Sequence, residues 1–307
     1  MTPPALSTRG LTKRYGSRTV VDHLDMELPS GVVAGFIGPN GAGKTTTMAM
    51  LLGLVRPSAG TAAVLGLSIA EPAAYLARVG ALIERPAFYP SLSGDENLGV
   101  LATVGGHDGR RIPALLDTVG LRARGGDRFR SYSLGMKQRL GIAAALLGDP
   151  DLLILDEPAN GLDPQGVREM RELVGRVADT GRTVLVSSHD LSELEQVCDW
   201  LVLIDAGRSL YQGPALELLD GAGGGLAVAP QRPGDLSLLR DLLAAQGHRT
   251  RVEGARILVE VDRGGMDDVA ASANQAAFGA GIVLVELHPV RMTLEDRYLA
   301  LVEAGAR

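Results

Sequence analysis

Short apolar runs, each followed by a glycine-rich or polar turn, recur through the first 220 residues of the chain. They predict buried strands at 31–37, Leu152–Leu155 and 183–186. A further run, DWLVLIDAGRSLYQG, predicts a strand, a turn at 206–207 and a returning strand. Because short apolar strands alternate with helices, we expect an α/β fold whose chemistry lies at the carboxyl ends of the strands.

The pattern changes after Asp220. Residues 221–225 predict a flexible glycine linker, and 226–307 predict a second domain. Its order is strand, helix, strand, strand, helix, strand and helix, at 226–229, 235–246, 248–252, 256–261, 266–278, 282–287 and 293–303. This βαββαβ order is typical of a small ferredoxin-like α+β domain. Two roles remain open for it, a packing or dimerising appendage and a regulatory or ligand-sensing domain.

The composition excludes several classes of protein. The 307 residues leave room for two domains, and a net charge of −6 gives no basic surface for nucleic acid. Apolar runs such as LGIAAALLG are far shorter than the roughly 20 residues of a membrane span, and no signal segment opens the chain. Cys198 is the single cysteine, which excludes disulfides within the chain. We therefore expect a cytosolic protein, or one held at a membrane through a partner.

A phosphate-binding loop follows the first predicted strand. The sequence GPNGAGKT at 38–45 matches G-x-x-x-x-G-K-[ST] in full and lies between a strand and a helix, as that motif requires. Backbone amides of residues 40–44 can surround phosphates, and the Lys44 ammonium can neutralise their outer oxygens. The Thr45 hydroxyl can ligate Mg²⁺.

Two carboxylates end the strand at Leu152–Leu155. Asp156 can hold Mg²⁺ through its water shell, and Glu157 can accept a proton from an attacking water. His189 ends the next parallel strand, where it can reach a γ-phosphate; an ordinary core or surface histidine is the alternative. Together with the phosphate-binding loop, these residues predict a nucleoside triphosphatase.

A second anion-binding helix start is predicted in RSYSLGMKQRLGIA. Ser133 takes the N-cap position, and Gly135 leaves the backbone uncovered just inside the helix. This helix start lies about ninety residues after the phosphate-binding loop, so the chain carries two predicted anion sites.

Taken together, these motifs resemble those of the ATP-binding subunits of ABC transporters. In the order of that family they are LTKRYG, GPNGAGKTT (Walker A), YSLGMKQR (signature), LLILDEP (Walker B), NGLDP (D-loop) and SSHDL (switch histidine), over about residues 4–220. The resemblance implies that the nucleotide is ATP with Mg²⁺. It also implies a head-to-tail pair, in which Ser133 and Gly135 of one copy bind the ATP that Lys44 of the other copy holds.

The resemblance implies a role for each residue that matches a family motif. Hydrolysis is assigned to Lys44, Glu157 and His189. ATP binding, with Tyr15 stacked on adenine, is assigned to Tyr15, Asn40, Gly41, Ala42, Gly43, Lys44, Thr45, Thr46, Ser133, Gly135 and Asp163. Mg²⁺ binding is assigned to Thr45, Glu84 and Asp156.

The chain departs from the family pattern at two motifs. The signature L-S-G-G-Q reads Y-S-L-G-M at 132–136, so Leu134 replaces the first glycine and Met136 the glutamine. Glu84 stands in place of the Q-loop glutamine and adds negative charge beside the phosphates. Both departures resemble the drug-exporter branch of the family, with its bacitracin-resistance and daunorubicin-type ATPases.

The family inserts a helical subdomain, here 85–132, that contacts the membrane subunits. Phe88, Tyr89 and Pro90 either line a groove there for a coupling helix or pack inside the subdomain. The arginines of LRARGGDRFR either lie in a solvated loop or contact a partner or lipid headgroups.

We therefore expect an ABC-type P-loop ATPase domain at 1–220 that powers a separate integral-membrane permease for drug or peptide-antibiotic export. Two copies, or one copy and a close homologue, would pair at the cytoplasmic face of the membrane, without nucleic acid. One alternative is an importer ATPase, against which Glu84 and the altered signature count. The other is a soluble ABC ATPase without a transport role, which the lack of zinc cysteines and of a second ATP-binding half disfavours.

Overall fold

The computed structural model describes residues 3–84, 86–190, 196–220, 224–261, 265–290 and 294–305. The chain forms two compact units, Met1–Ala215 with Leu301–Arg307, and Leu216–Ala300. Each unit has a hydrophobic core of its own.

The strands and helices are numbered here in chain order. The strands are β1 (Leu6–Tyr15), β2 (Arg18–Leu28), β3 (Val33–Ile37), β4 (Ala59–Val64), β5 (Leu67–Ser68), β6 (Val79–Leu82), β7 (Leu152–Leu155), β8 (Thr183–Ser188), β9 (Trp200–Asp205), β10 (Arg208–Pro214), β11 (Gly225–Pro230), β12 (Thr250–Glu253), β13 (Arg256–Glu260) and β14 (Leu284–Val290). The helices are α1 (Lys44–Leu51), α2 (Gly94–Gly105), α3 (Ile112–Thr118), α4 (Leu134–Ala145), α5 (Pro164–Ala178), α6 (Ala215–Asp220), α7 (Leu236–Ala245), α8 (Met266–Gly279) and α9 (Leu294–Gly305). Short 3-10 turns lie at Pro72–Ala74, Leu76–Arg78, Gly109–Arg111, Arg122–Arg124, Phe129–Ser131 and Pro233–Asp235.

The central sheet of the first unit confirms the predicted α/β architecture. Its strand order is β10-β9-β3-β8-β7-β6, with β10 antiparallel and the other five strands parallel. Every residue of β3 and β7 is buried, because both faces of a parallel sheet are covered. The carboxyl ends of β3, β6, β7 and β8 therefore meet at one edge of the sheet.

An antiparallel sheet in the order β2-β1-β4-β5 completes the β-structure of this unit, and α2 and α3 fall within 85–132. Helix α2 starts at a capping box: the Ser93 side chain accepts from Glu96 N–H, and the Glu96 side chain accepts from Ser93 N–H. The Asn97 amide donates to the carbonyls of Tyr89 and Ser93, at 3.1 and 2.8 Å. The sequence SGDEN thus fixes both the helix start and the loop before it.

The second unit is an antiparallel sheet in the order β12-β13-β11-β14, with α7 and α8 contributing to its core. Gly225, which we expected in the linker, is instead the first residue of β11, because it pairs with Glu260 and Val290. Linker residues 221–223 lie outside the described part of the chain. The strand expected at 282–287 begins later, because Ile282 N–H donates to Ala277 and so still belongs to the end of α8.

Among the helices of the described residues, none is both long enough and apolar enough to cross a bilayer.

Candidate nucleotide-binding site

The loop between β3 and α1 has a backbone conformation that requires glycine. Gly43, the N-cap of α1, has φ +102°, and a Cβ on it would lie 2.7 Å from the carbonyl oxygen of Val20. Gly41 also has positive φ, and the carbonyl of buried Ala42 accepts from Gly207 N–H at 3.0 Å. No side-chain hydrogen bond caps α1. The backbone amides of its first turn are therefore not bonded to a capping side chain, which suits the binding of an anion.

The Lys44 ammonium is buried, with the side chain 5% exposed. Its Nζ donates to the Gly38 carbonyl at 2.7 Å and to the Pro39 carbonyl at 3.3 Å. It also lies 3.2 Å from Glu157 Oε1. The positive charge is therefore held beside the loop amides and next to the predicted catalytic carboxylate.

Asp156 is buried, and two hydroxyl groups donate to its carboxylate. Thr45 Oγ1 donates to Oδ2 at 2.7 Å, and Ser187 Oγ donates to Oδ1 at 2.6 Å. A threonine hydroxyl and a carboxylate side by side are hard oxygen ligands, which fit Mg²⁺. Glu84, with φ +60°, lines the same groove and adds a third oxygen-bearing side chain.

The Glu157 carboxylate contacts the two other predicted catalytic residues, Lys44 and His189. Its Oε2 accepts from Asn160 Nδ2 at 3.1 Å and lies 3.1 Å from His189 Nδ1, while Oε1 faces Lys44. Its backbone has φ +46°, rare for a residue with a side chain, and its N–H donates to Ser187 Oγ at 2.9 Å. The turn after β7 thus presents the carboxylate to both Lys44 and His189.

The groove beside this cluster has a volume of about 600 Å³. Its walls come from the phosphate-binding loop, the ends of β6 and β7, and α4. The lining residues are Asn40, Thr45, Glu84, Leu134, Gln138, Asp156, Glu157, Asn160 and Gly161.

The second helix start has a different construction. Ser133 is exposed and caps α4, its hydroxyl accepting from Met136 N–H at 3.3 Å. Gly135 is the second helical residue. Within the described ranges, no hydrogen bond or ion pair joins Ser133 or Gly135 to the Lys44–Glu157 cluster of the same chain.

The remaining predicted residues lie in three places. Tyr15 is half exposed at the end of β1, with Lys13 Nζ 4.8 Å from its ring centroid. Thr46 lies in α1. Asp163 caps α5, accepting from Gly166 N–H at 2.8 Å, so the structure shows it in a helix-capping role.

Phe88 and Tyr89, the aromatic pair after Glu84, differ in their surroundings: one packs against another ring of the subdomain, and the other is exposed. Phe88 packs edge-on against Phe129, with ring centroids 5.0 Å apart. Tyr89 is 61% exposed. Burial therefore accounts for the first ring and not for the second.

Sequence reasoning missed Ser187 and Asn160. Ser187 meets Asp156 because the parallel register aligns Leu155 with Val186, which places the next residue of each strand side by side. Asn160 reaches Glu157 through the tight turn after β7. The available signal was the pair of serines that ends β8, Ser187 and Ser188. To pair Ser187 with Asp156, one would also have needed the register between β7 and β8.

Sequence and fold comparisons give related proteins. The profile of the family described as "ABC transporter" matches residues 21–160. The bacitracin transport ATP-binding protein BcrA of Enterococcus faecalis is 45% identical over 216 residues, 69% of this chain and 70% of that protein. The Nod factor export ATP-binding protein I of Cupriavidus metallidurans is 39% identical, covering 83% of this chain and 86% of its own. A solved ATP-binding subunit of an ABC transporter superposes with a TM-score of 0.62 and 31% identity, covering 70% of this chain and 91% of that one.

Proposed function

This chain belongs to the ABC transporter family as an ATP-hydrolysing subunit, and from that premise we propose that it drives the export of drugs or peptide antibiotics. The direction is supported by the relative whose name states Nod factor export. The class of cargo is supported by the relative whose name states bacitracin transport. The structural observation that supports the ATP-driven part of this function is the Lys44–Glu157–His189 cluster beside the groove, whose lining also includes Leu134 of the second helix start.

Within one copy, each residue of the cluster has a proposed task. Lys44 and the loop amides bind the β- and γ-phosphates of ATP, and Thr45 and Asp156 hold Mg²⁺, which supplies positive charge to the phosphates. Glu157 accepts the proton of the attacking water, and Lys44 Nζ lies 3.2 Å from its Oε1. His189 contacts the same carboxylate and orients it.

ABC ATP-binding subunits work as dimers, and we propose a head-to-tail pair in which Ser133 and Gly135 bind the partner's ATP. The support is that Ser133 is exposed and that, among the described residues, no hydrogen bond or ion pair joins this helix start to the cluster of its own chain. Closure then depends on the γ-phosphate, so its loss on hydrolysis reopens the pair.

The membrane permease is proposed to dock on a groove of about 400 Å³ between β6, α2 and α4. It is lined in part by Leu76, Leu101, Val104, His107 and Pro150. Val104, which lines this groove, is 83% exposed. Docking of this kind places the chain at the cytoplasmic face of the membrane.

The test is co-purification from membranes of the host. The tagged wild-type chain should retain an integral membrane protein in stoichiometric amount. Val104→Glu should lose that protein and keep ATP hydrolysis, because the groove is separate from the Lys44–Glu157 cluster. Phe278→Glu, in the other unit and equally exposed at 84%, is the matched control and should keep it.

A wild-type chain without any membrane partner would contradict the transporter function and favour an ABC ATPase with another role. A co-purifying substrate-binding protein would favour an importer.

A further inference from the structure

The first turn of α4 and the loop after β7 are packed together by two leucine–glycine contacts. A Cβ built on Gly161 would lie 3.2 Å from Leu134 Cδ2, and one built on Gly135 would lie 3.6 Å from Leu162 Cδ2. Each leucine therefore rests against the uncovered backbone of the opposite segment. Gly161 has φ +78°, so a side chain there would be both crowded and strained.

The loop that Leu134 contacts leads directly to the Glu157 carboxylate. Asn160, which precedes Gly161, donates its N–H to the Glu157 carbonyl and its Nδ2 to Glu157 Oε2, both at 3.1 Å. Downstream, Asp163 fixes the loop to the start of α5. Between these two anchors, the loop rests on the first turn of α4 through Leu134 against Gly161 and Leu162 against Gly135.

Helix α4 is a firm support for this contact. The ion pair between Arg139 and Glu169 ties it to α5, and Leu140 is fully buried. Leu134 itself is 37% exposed, so the larger part of it is covered, and truncation removes some buried apolar surface. A change at Leu134 should therefore be followed both in the rate of the reaction and in the free energy of unfolding.

We propose that Leu134 is a positioning residue for hydrolysis: through Gly161 and Asn160 it holds the Glu157 carboxylate facing Lys44 and His189. This inference rests on the proposed role of Glu157 as proton acceptor. Glycine, which stands at this position in the L-S-G-G-Q signature, offers no side chain for the contact. The helix start that is proposed to bind the partner's ATP thereby touches the catalytic loop of its own chain.

The test is the effect of Leu134→Ala on steady-state ATP hydrolysis. We expect kcat to fall on the order of 10-fold with KM for ATP within about 2-fold, because a small misplacement of a reacting group slows the step without weakening binding. Leu134→Met should restore kcat. Leu67→Ala, a leucine of equal exposure at 38% on β5, is the matched control and should keep wild-type rates.

Two further measurements separate positioning from other roles. Leu134→Ala combined with Asn160→Ala should be no slower than Asn160→Ala alone, because both act through one loop. In a Glu157→Gln background, Leu134→Ala should leave ATP-dependent pairing of the chains unchanged.

Each contrary result has a distinct meaning. A wild-type kcat for Leu134→Ala, with Glu157→Gln inactive, would overturn the inference alone. A raised KM or a loss of pairing would also overturn it, since Leu134 would then act on nucleotide or partner. Full activity of Glu157→Gln would instead refute the proposed role of Glu157.

Discussion

Helices α1 and α4 both begin at the groove, yet only α1 brings its own positive charge there. Its N-cap is the left-handed Gly43, no side chain caps it, and Lys44 is buried against Glu157. Helix α4 begins at an extended, exposed serine whose hydroxyl already accepts from the helix, and its first turn touches the loop after β7 through leucine–glycine contacts. A helix start thus becomes a complete phosphate site only with its surroundings, which α1 finds in its own chain and α4 is proposed to find in a partner.

The largest expected effect comes from Ser133→Asp, which separates capping of α4 from anion binding. Aspartate caps a helix as well as serine, so the free energy of unfolding should stay within about 0.5 kcal/mol of wild type. Its carboxylate should repel the partner's γ-phosphate and lower ATP hydrolysis about 100-fold. The measurement is phosphate release at saturating ATP, beside urea unfolding. Retained hydrolysis would mean that α4 holds no anion.

A second prediction compares the glycines of the two helix starts. Gly43→Ala should lower the free energy of unfolding by about 1–3 kcal/mol, because alanine disfavours φ +102° and its Cβ would meet the Val20 carbonyl. Gly135→Ala should leave it unchanged or raise it by up to about 1 kcal/mol, because that position is helical and has ordinary space. Urea unfolding of both variants measures the difference, and equal losses would contradict it.

The smallest effect concerns Asp149, which joins the segment before α3 to the start of β8. Hydrogen bonds from Arg111, at 2.9 Å, and from Arg182 hold the pKa of the Asp149 carboxyl below its ordinary value of 3.8. A lowered pKa stabilises the fold above pH 3.8, and the contribution is lost as the pH falls through the folded value. Asp149→Asn keeps a residue that tolerates φ +54°.

Asp149→Asn should therefore be less stable than wild type at pH 7, with a difference that shrinks below about pH 4. The difference should be small, because the carboxylate is 57% exposed and water screens it. Urea unfolding at several pH values measures it. A gap that grows on acidification would contradict the pairing.

Motif spacing predicted the strand ends that carry Lys44, Asp156, Glu157 and His189, because buried parallel strands align their carboxyl ends. The same reasoning could not predict the contacts of Ser187 with Asp156, which depend on strand register. Nor could it predict the packing of Leu134 on Gly161, which depends on the path of a loop between two helices.

The boundaries of the second unit show a further limit of sequence patterns. Gly225 reads as linker by composition, yet it pairs on both sides within a sheet. Residues after α8 are apolar enough for a strand, yet Gly281, with φ +72°, and Ile282 close the helix first. Long-range pairing decides such positions, and local composition does not report it.

The most direct test of the central claim mixes two inactive variants, Lys44→Ala and Ser133→Arg, at equal concentration. In a head-to-tail pair, each mixed dimer has one site with both residues intact and one with both changed. Because random pairing makes half of the dimers mixed, ATP hydrolysis should recover to about a quarter of the wild-type rate. A mixture no more active than the sum of the two variants alone would contradict the shared site.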